Sequence, residues 1–153
     1  MEKTTVKSVM SGKVIVAGLQ HTFSQVLEFF DQYNMHHIPV MNDKKIIGMI
    51  SSTDVMKVLS KELLNGETVQ LEKLNQSVSI ETLMSSAPVT IVEDESIESA
   101  MQLFYAKKIH ALPVVDKKGE LSGIITSNDV LQTYFKEMRP PSHFEINSPG
   151  YGI

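Results

Sequence analysis

Apolar positions along the chain first form a short β-type run, Val14-Ile15-Val16-Ala17. Helical spacing follows at Phe23, Val26, Leu27 and Phe30, one stripe of an amphipathic helix. Thr22 stands before that stripe with Gln25 three residues on, the signature of a capping box. Two further β-type runs, His37 to Met41 and Ile46 to Ser51, flank the polar turn Asn42-Asp43-Lys44, and a second helix is predicted from Ser52-Thr53-Asp54 to about Asn65. The same order then begins again. Val89-Thr90-Ile91-Val92 is the strand, Ser96 the cap, and Ile97, Ala100, Met101 and Phe104 the stripe. Ala111 to Val115 and Leu121 to Thr126 are the hairpin around Asp116-Lys117-Lys118-Gly119, and Ser127-Asn128-Asp129 opens the last helix. The stretch between the copies is polar apart from a few residues such as Val69, Leu71 and Leu74, is interrupted by Gly66, and is read as a surface connector.

The chain therefore holds one β-α-β-β-α unit twice. Met10-Ser11 aligns on Met84-Ser85, and the offset holds until a one-residue gap near Lys44. Ile38-Pro39-Val40 matches Leu112-Pro113-Val114, and Gly48 to Asp54 (G-M-I-S-S-T-D) matches Gly123 to Asp129 (G-I-I-T-S-N-D). Phe30 with Phe104 and His36 with His110 are further identical pairs. The expected divisions are 5–65, a connector at 66–78, 79–138, and an irregular tail at 139–153. One copy of ~50 residues is too small to be more than marginally stable. The expected fold is thus a mixed α/β (α+β) module whose two repeats share a core about a pseudo-twofold axis.

Composition removes several classes of function. The chain has no cysteine, so it has no disulfide framework, thiolate metal site or cysteine nucleophile. A formal net charge of −4 argues against a broad nucleic-acid footprint. No apolar run reaches the ~20 residues of a membrane span, and the opening M-E-K-T-T-V-K lacks the apolar stretch of a signal peptide. The expected address is the cytoplasm, without membrane insertion. Signatures of nucleotide hydrolases, dinucleotide enzymes, metalloproteases and serine hydrolases are missing, so no catalytic residue is assigned.

The doubled G-h-h-S/T-x-x-D string, with h apolar, carries the candidate chemistry. Glycine allows close approach to the backbone. Ser51 and Thr126 supply hydroxyls, and Asp54 and Asp129 stand in the first turn of a helix, where a carboxylate can accept both hydrogen bonds of a ribose diol. The helix N-terminus favours an anion. The same aspartates are also explained as carboxylates favoured by the helix dipole; their recurrence at one spacing favours a ligand site. Ser52 and Ser127 are read as caps. His36-His37 is read either as a strand edge with one imidazole packed, or as a phosphate contact. No ligand spacing for a metal stands out, and Glu93-Asp94-Glu95 is read as a solvated turn.

Taken in order, the Met-Ser lead, the h-P-V segments and the two G-h-h-S/T-x-x-D strings resemble a pair of CBS (cystathionine-β-synthase) domains, a Bateman module, over about residues 5 to 136. The resemblance implies a regulatory, non-enzymatic module that needs no cofactor and binds AMP, ADP, ATP or S-adenosylmethionine between its repeats. It implies ribose contacts for Asp54 and Asp129, with Ser51 and Thr126 beside them. It implies adenine-pocket walls for Ile38, Pro39, Val40, Leu112, Pro113 and Val114, base contacts for Val14, Ile15, Val89 and Thr90, and phosphate-facing positions for His36 and His110. Family members often carry Arg near the phosphate; this chain has His36, His37 and His110, with Ala111 after the last. Lys57, whose counterpart is Gln132, and the extra His37 are expected to make the Asp54 site the more basic and the tighter one. A homodimer through the second helices is expected, involving Met56, Val58, Leu59, Leu63, Val130, Leu131, Tyr134 and Phe135, with Phe144, Ile146 and Tyr151 of the tail held by a neighbour or by the chain itself. The downstream protein target is open, and the alternative is a protein-docking module with vestigial pockets.

Overall fold

A computed structural model describes residues 3–66 and 68–138. Local capping starts the helices where the sequence places them. Thr22 closes a complete capping box on Gln25 and begins α2 (Phe23–Gln32), after a one-turn α1 at Val6–Val9. The β1 pair (Ala17–Gly18) runs parallel to β2 (His37–Asn42), which forms an antiparallel hairpin with β3 (Lys45–Ser51). Asp43 takes the left-handed conformation (φ 51°) that the tight turn demands. The first half continues through α3 (Ser52–Leu64), α4 (Leu71–Ser77), α5 (Ile80–Leu83) and β4 (Ser85–Ser86).

The second half repeats the plan with β5 (Ile91–Val92), α6 (Ile97–Lys107), β6 (Ala111–Val115), β7 (Leu121–Thr126) and α7 (Ser127–Met138). Ser96 caps α6 by accepting from the Ser99 N–H. In the hairpin turn, Asp116 Oδ1 accepts from Lys118 N–H (2.8 Å) and Glu120 N–H (2.9 Å) while Gly119 supplies φ 80°. The repeat extends to irregularities: both hairpins shift register at the same place, between Val40 and Met41 and between Val114 and Val115.

Two of the expected elements come out differently. The apolar runs beginning at Val14 and Val89 enter the sheets only at their ends, since β1 is Ala17–Gly18 and β5 is Ile91–Val92. The residues before them cross between halves and have no ladder partner of their own. The stretch read as a surface connector carries α4, whose Leu74 is 2% exposed in the first core. Asn75 fastens α4 to α2 through Ser24, accepting from its N–H at 2.8 Å and donating to its Oγ at 2.9 Å.

Each half also borrows the segment that leads into the other. Val6 of α1 is fully buried in the second core, with Ile91, Ala100, Leu112, Val114 and Ile125. Val6 N–H donates to the Glu95 carbonyl (2.8 Å) and Lys7 N–H to the Glu93 carbonyl (2.9 Å). Lys7 Nζ reaches Glu93 Oε1 at 2.7 Å. The acidic turn is therefore the anchor of α1, beyond a merely solvated loop. Reciprocally, Ile80 and Leu83 of α5 join the first core, and β4 pairs with β3. The sheets thus read β1-β2-β3-β4 and β5-β6-β7, with Ser11 bridging Ile124 where β4 pairs in the other half.

Glycine is required where the borrowed segments cross. A Cβ at Gly123 would lie 2.5 Å from Met10 Sδ and 2.8 Å from the Ser11 carbonyl oxygen; one at Gly48 would lie 2.8 Å from Met84 Cγ. Gly12 has open space around it. Gly123→Ala should therefore cost about 1–3 kcal/mol through overpacking, while Gly12→Ala stays near neutral, as read from urea midpoints. Leu74→Ala should cost about 2–5 kcal/mol; a loss no greater than that of an exposed-site substitution would return α4 to the role of a surface linker.

Candidate functional site

The aspartates singled out in the sequence are held by the backbone they help to cap. Ser51 is the N-cap of α3: its Oγ accepts from Asp54 N–H (3.2 Å). Asp54 Oδ2 in turn accepts from Ser51 N–H and Ser51 Oγ–H, both at 2.8 Å. The second repeat duplicates this, with Thr126 N–H and Oγ1–H on Asp129 Oδ2 at 2.7 Å and Asp129 N–H on Thr126 Oγ1 at 3.2 Å. The caps are thus Ser51 and Thr126, one residue earlier than the Ser52 and Ser127 expected. The backbone N–H groups of Ser52 and Ser127 bond the carbonyls of His36 (2.9 Å) and His110 (3.0 Å), tying each helix start to its histidine. The box bonds that the carboxylates accept all fall on Oδ2, so each carboxylate is fixed in direction while Oδ1 takes no part in the box.

These helix starts open into two clefts. The larger, about 460 Å³, brings Thr126 and Asp129 of the second half against Val14 and Ile15 of the crossing segment and against His36, His37 and His110. The smaller, about 280 Å³, brings Ser51 and Asp54 against Val89, His37, His110 and Pro113. Most of the two sets are repeat equivalents. They differ where the copies differ, since Lys13, Asn34 and His37 of the larger cleft have Ala87, Lys108 and Ala111 as their repeat equivalents.

Several residues implied by the resemblance stand elsewhere. Ile38, Val40, Leu112 and Val114 are fully buried in the two cores. Strand alternation is the reason: neighbours in β2 and β6 face opposite sides, so only one side of each h-P-V segment can meet a cleft. Pro113 lies on the cleft side; Pro39 is buried and lines neither cleft, and Thr90 also lies outside both. Lys57 is exposed and lines neither, while His37 lines both. The grounds for a more basic Asp54 site are therefore gone. The basic groups that do line the clefts are Lys13 and Lys108, which periodicity did not single out. Lys13 sits just before Val14 in the crossing segment, and Lys108 caps α6 in the left-handed conformation (φ 53°). Adjacency to residues already chosen, Val14 and His110, was the only signal for them.

The imidazoles are electrostatically linked. Burial holds the His37 pKa below its ordinary value of 6.5, the neighbouring His36 and His110 push it the same way, and Asp54 opposes them. Neutral imidazole can donate one hydrogen bond and accept one. With a carboxylate held by its capping box, imidazole and ammonium groups, and apolar Val14, Ile15 and Ile124 in one lining, the larger cleft carries the groups that suit a flat apolar ring bearing a diol and an anionic end. Among the described residues no cluster of three or more His, Asp or Glu could hold a metal ion, and no helix is long and apolar enough to cross a membrane.

Comparison with known proteins agrees with this architecture. The model of the CBS domain matches residues 6–61 and again 80–136. A CBS domain-containing protein of Dictyostelium discoideum is 31% identical over 141 residues, covering 90% of this chain and 96% of that protein. The chain spans only 48% of an uncharacterized protein of Methanocaldococcus jannaschii at 27% identity, and 21% of that organism's inosine-5'-monophosphate dehydrogenase at 28%. A CBS domain pair solved with 5-methylthioadenosine and S-adenosyl-L-methionine superposes with a TM-score of 0.71 at 26% identity, covering 86% of this chain and 99% of that one. A CBS-pair protein of Arabidopsis thaliana, solved with AMP, shares the fold at a TM-score of 0.73 and 23% identity, covering 89% and 99%. The doubled match, the near full-length relative and the shared fold place the chain in the CBS domain family, as a pair of CBS repeats.

Proposed function

We propose that the chain is a regulatory module that binds an adenine-containing nucleotide or nucleoside, of the AMP, ADP, ATP or S-adenosylmethionine type, between its two repeats, and that it catalyses no reaction. The carrying observation is the Asp129 cleft. There a carboxylate oriented by its own capping box shares one cleft with apolar Val14 and Ile15, three imidazoles and Lys13. Asp129 Oδ1 would accept from the ribose hydroxyls, the apolar residues would flank the adenine, and the basic groups would take a phosphate or sulfonium-linked carboxylate. The solved CBS pairs bound to AMP, to 5-methylthioadenosine and to S-adenosyl-L-methionine support this ligand class. Because the cleft is built from both halves, a ligand that binds one packing of the halves better than another shifts the balance between them.

A homodimer belongs to the same reading. Of the second-helix residues expected at the interface, Val130 is buried, and Val58, Leu59 and Tyr134 pack against the chain's own cores. Met56 and Leu131, equivalent positions of the two repeats, remain 58% and 68% exposed, and Leu63 and Phe135 are also exposed. These matched apolar faces on α3 and α7 suit a second copy bound about a twofold axis. Phe144, Ile146 and Tyr151 lie outside the described residues. The same faces also support the second reading, docking of another protein without nucleotide dependence.

Isothermal titration with AMP, ADP, ATP, S-adenosylmethionine and NAD, on protein freed of co-purified ligand, is expected to give heat with at least one adenine compound; silence with all of them would leave the docking reading. Asp129→Asn should weaken the bound compound by about 1.5–3 kcal/mol, and more than Asp54→Asn does; the reverse order would assign the main site to the smaller cleft. Sedimentation equilibrium at tens of micromolar should show a dimer for the wild type and monomer for Leu131→Lys paired with Met56→Lys. A monomeric wild type would defeat the dimer.

A further inference from the structure

His37 occupies a position that neither repeat symmetry nor the ribose-binding motif requires. Its equivalent in the second repeat is Ala111, yet His37 forms part of the wall of both clefts, as does His110. Asp129 lines the larger cleft and Asp54 the smaller, each beside His37 and His110 in the lining. An anionic ligand group is repelled by those carboxylates and favoured by the imidazoles and the lysine that line the same cleft, Lys13 in the larger and Lys108 in the smaller.

Resting on the reading of the clefts as nucleotide sites, we propose that His37 takes up a proton when a phosphate-bearing ligand occupies either cleft, so that affinity for a nucleoside monophosphate rises with acidity while affinity for the uncharged nucleoside does not. The proton comes from solvent and stays on the imidazole, where it gives the ring a second donor and a charge facing the phosphate.

The surroundings of His37 set the direction of the effect. In the ligand-free protein, burial and the adjacent His36 and His110 disfavour its charged form, and only Asp54 favours it. The remaining charged groups of the two clefts are Lys13 and Asp129 in the larger and Lys108 and Asp54 in the smaller. With its pKa depressed, His37 contributes stability that is present above its ordinary value of 6.5 and is lost as pH falls through that value toward the folded-state pKa. A bound phosphate supplies the missing counter-charge and reverses that preference. Ligand and proton therefore each strengthen the binding of the other, by the same factor.

Imidazole Cε1–H resonances followed by NMR from about pH 8 to about pH 5, in free protein and in protein saturated with adenosine or with AMP, test this directly. AMP should raise the His37 midpoint by about one unit, which corresponds to about tenfold tighter binding of AMP to the protonated form; adenosine should leave it in place. The His37→Ala variant is expected to fold, since the equivalent position is already alanine. Because the phosphate of AMP titrates near pH 6 itself, the pH dependence of AMP affinity is compared between variant and wild type, and the variant should lose the protein's share. A His37 midpoint unmoved in AMP-saturated protein would overturn the proposal while leaving nucleotide binding intact. Failure of both AMP and adenosine to bind would remove the underlying reading, and the proposal with it.

Discussion

The passage of each repeat's leading segment into the opposite half is the contact on which the rest of the structure depends. Met10 crosses Gly123 and Met84 crosses Gly48, so closely that neither glycine has room for a Cβ. Around those crossings Val6 completes the second core and Ile80 and Leu83 the first. The first core extends past its own repeat to Leu83 and Met84, and the second takes Val6, Val9 and Met10 from the far end of the chain. The crossing segments that complete the cores also run along the clefts, so core packing and cleft geometry are set by one arrangement.

Within each cleft the capping box gives the aspartate two functions through one geometry. Bonds from Ser51 or Thr126 to Oδ2 satisfy backbone donors that a helix start leaves open. They also immobilise the carboxylate before any ligand arrives, which lowers the ordering cost of binding. The helix-start reading and the proposed ligand reading of Asp54 and Asp129 are therefore compatible, since the cap fixes Oδ2 and leaves Oδ1 outside the box.

Repeat symmetry then makes the differences informative. Asn34 against Lys108 and His37 against Ala111 place unlike groups at like positions of the two linings, and Lys13 of the larger cleft has Ala87, outside the smaller lining, as its repeat equivalent. Of these residues only Ala111 is buried, whereas matched core positions such as Ile38 and Leu112 are apolar in both repeats. These differences change the charge of the two linings, and His37, partly buried, belongs to both of them.

The β-α-β-β-α order of each copy, the capping box at Thr22, the cap at Ser96, the hairpins and the doubling of the unit were legible in the sequence, because each is settled by residues a few positions apart, while α1, α4, α5 and β4 were not. The repeat was equally legible, and with it the family. Which half receives each leading segment was not, since two similar copies present similar apolar patterns to either partner. Nor did periodicity tell which side of Ile38-Pro39-Val40 or Leu112-Pro113-Val114 would meet a cleft, or that Leu74 would be buried in what reads as a polar linker. Lys13 and Lys108 became site residues only through chain crossing and packing. Local hydrogen bonding and side-chain alternation act over a few residues and are written in the sequence, whereas the clefts arise from contacts between residues far apart in the chain, whose pairing only the packed tertiary structure decides.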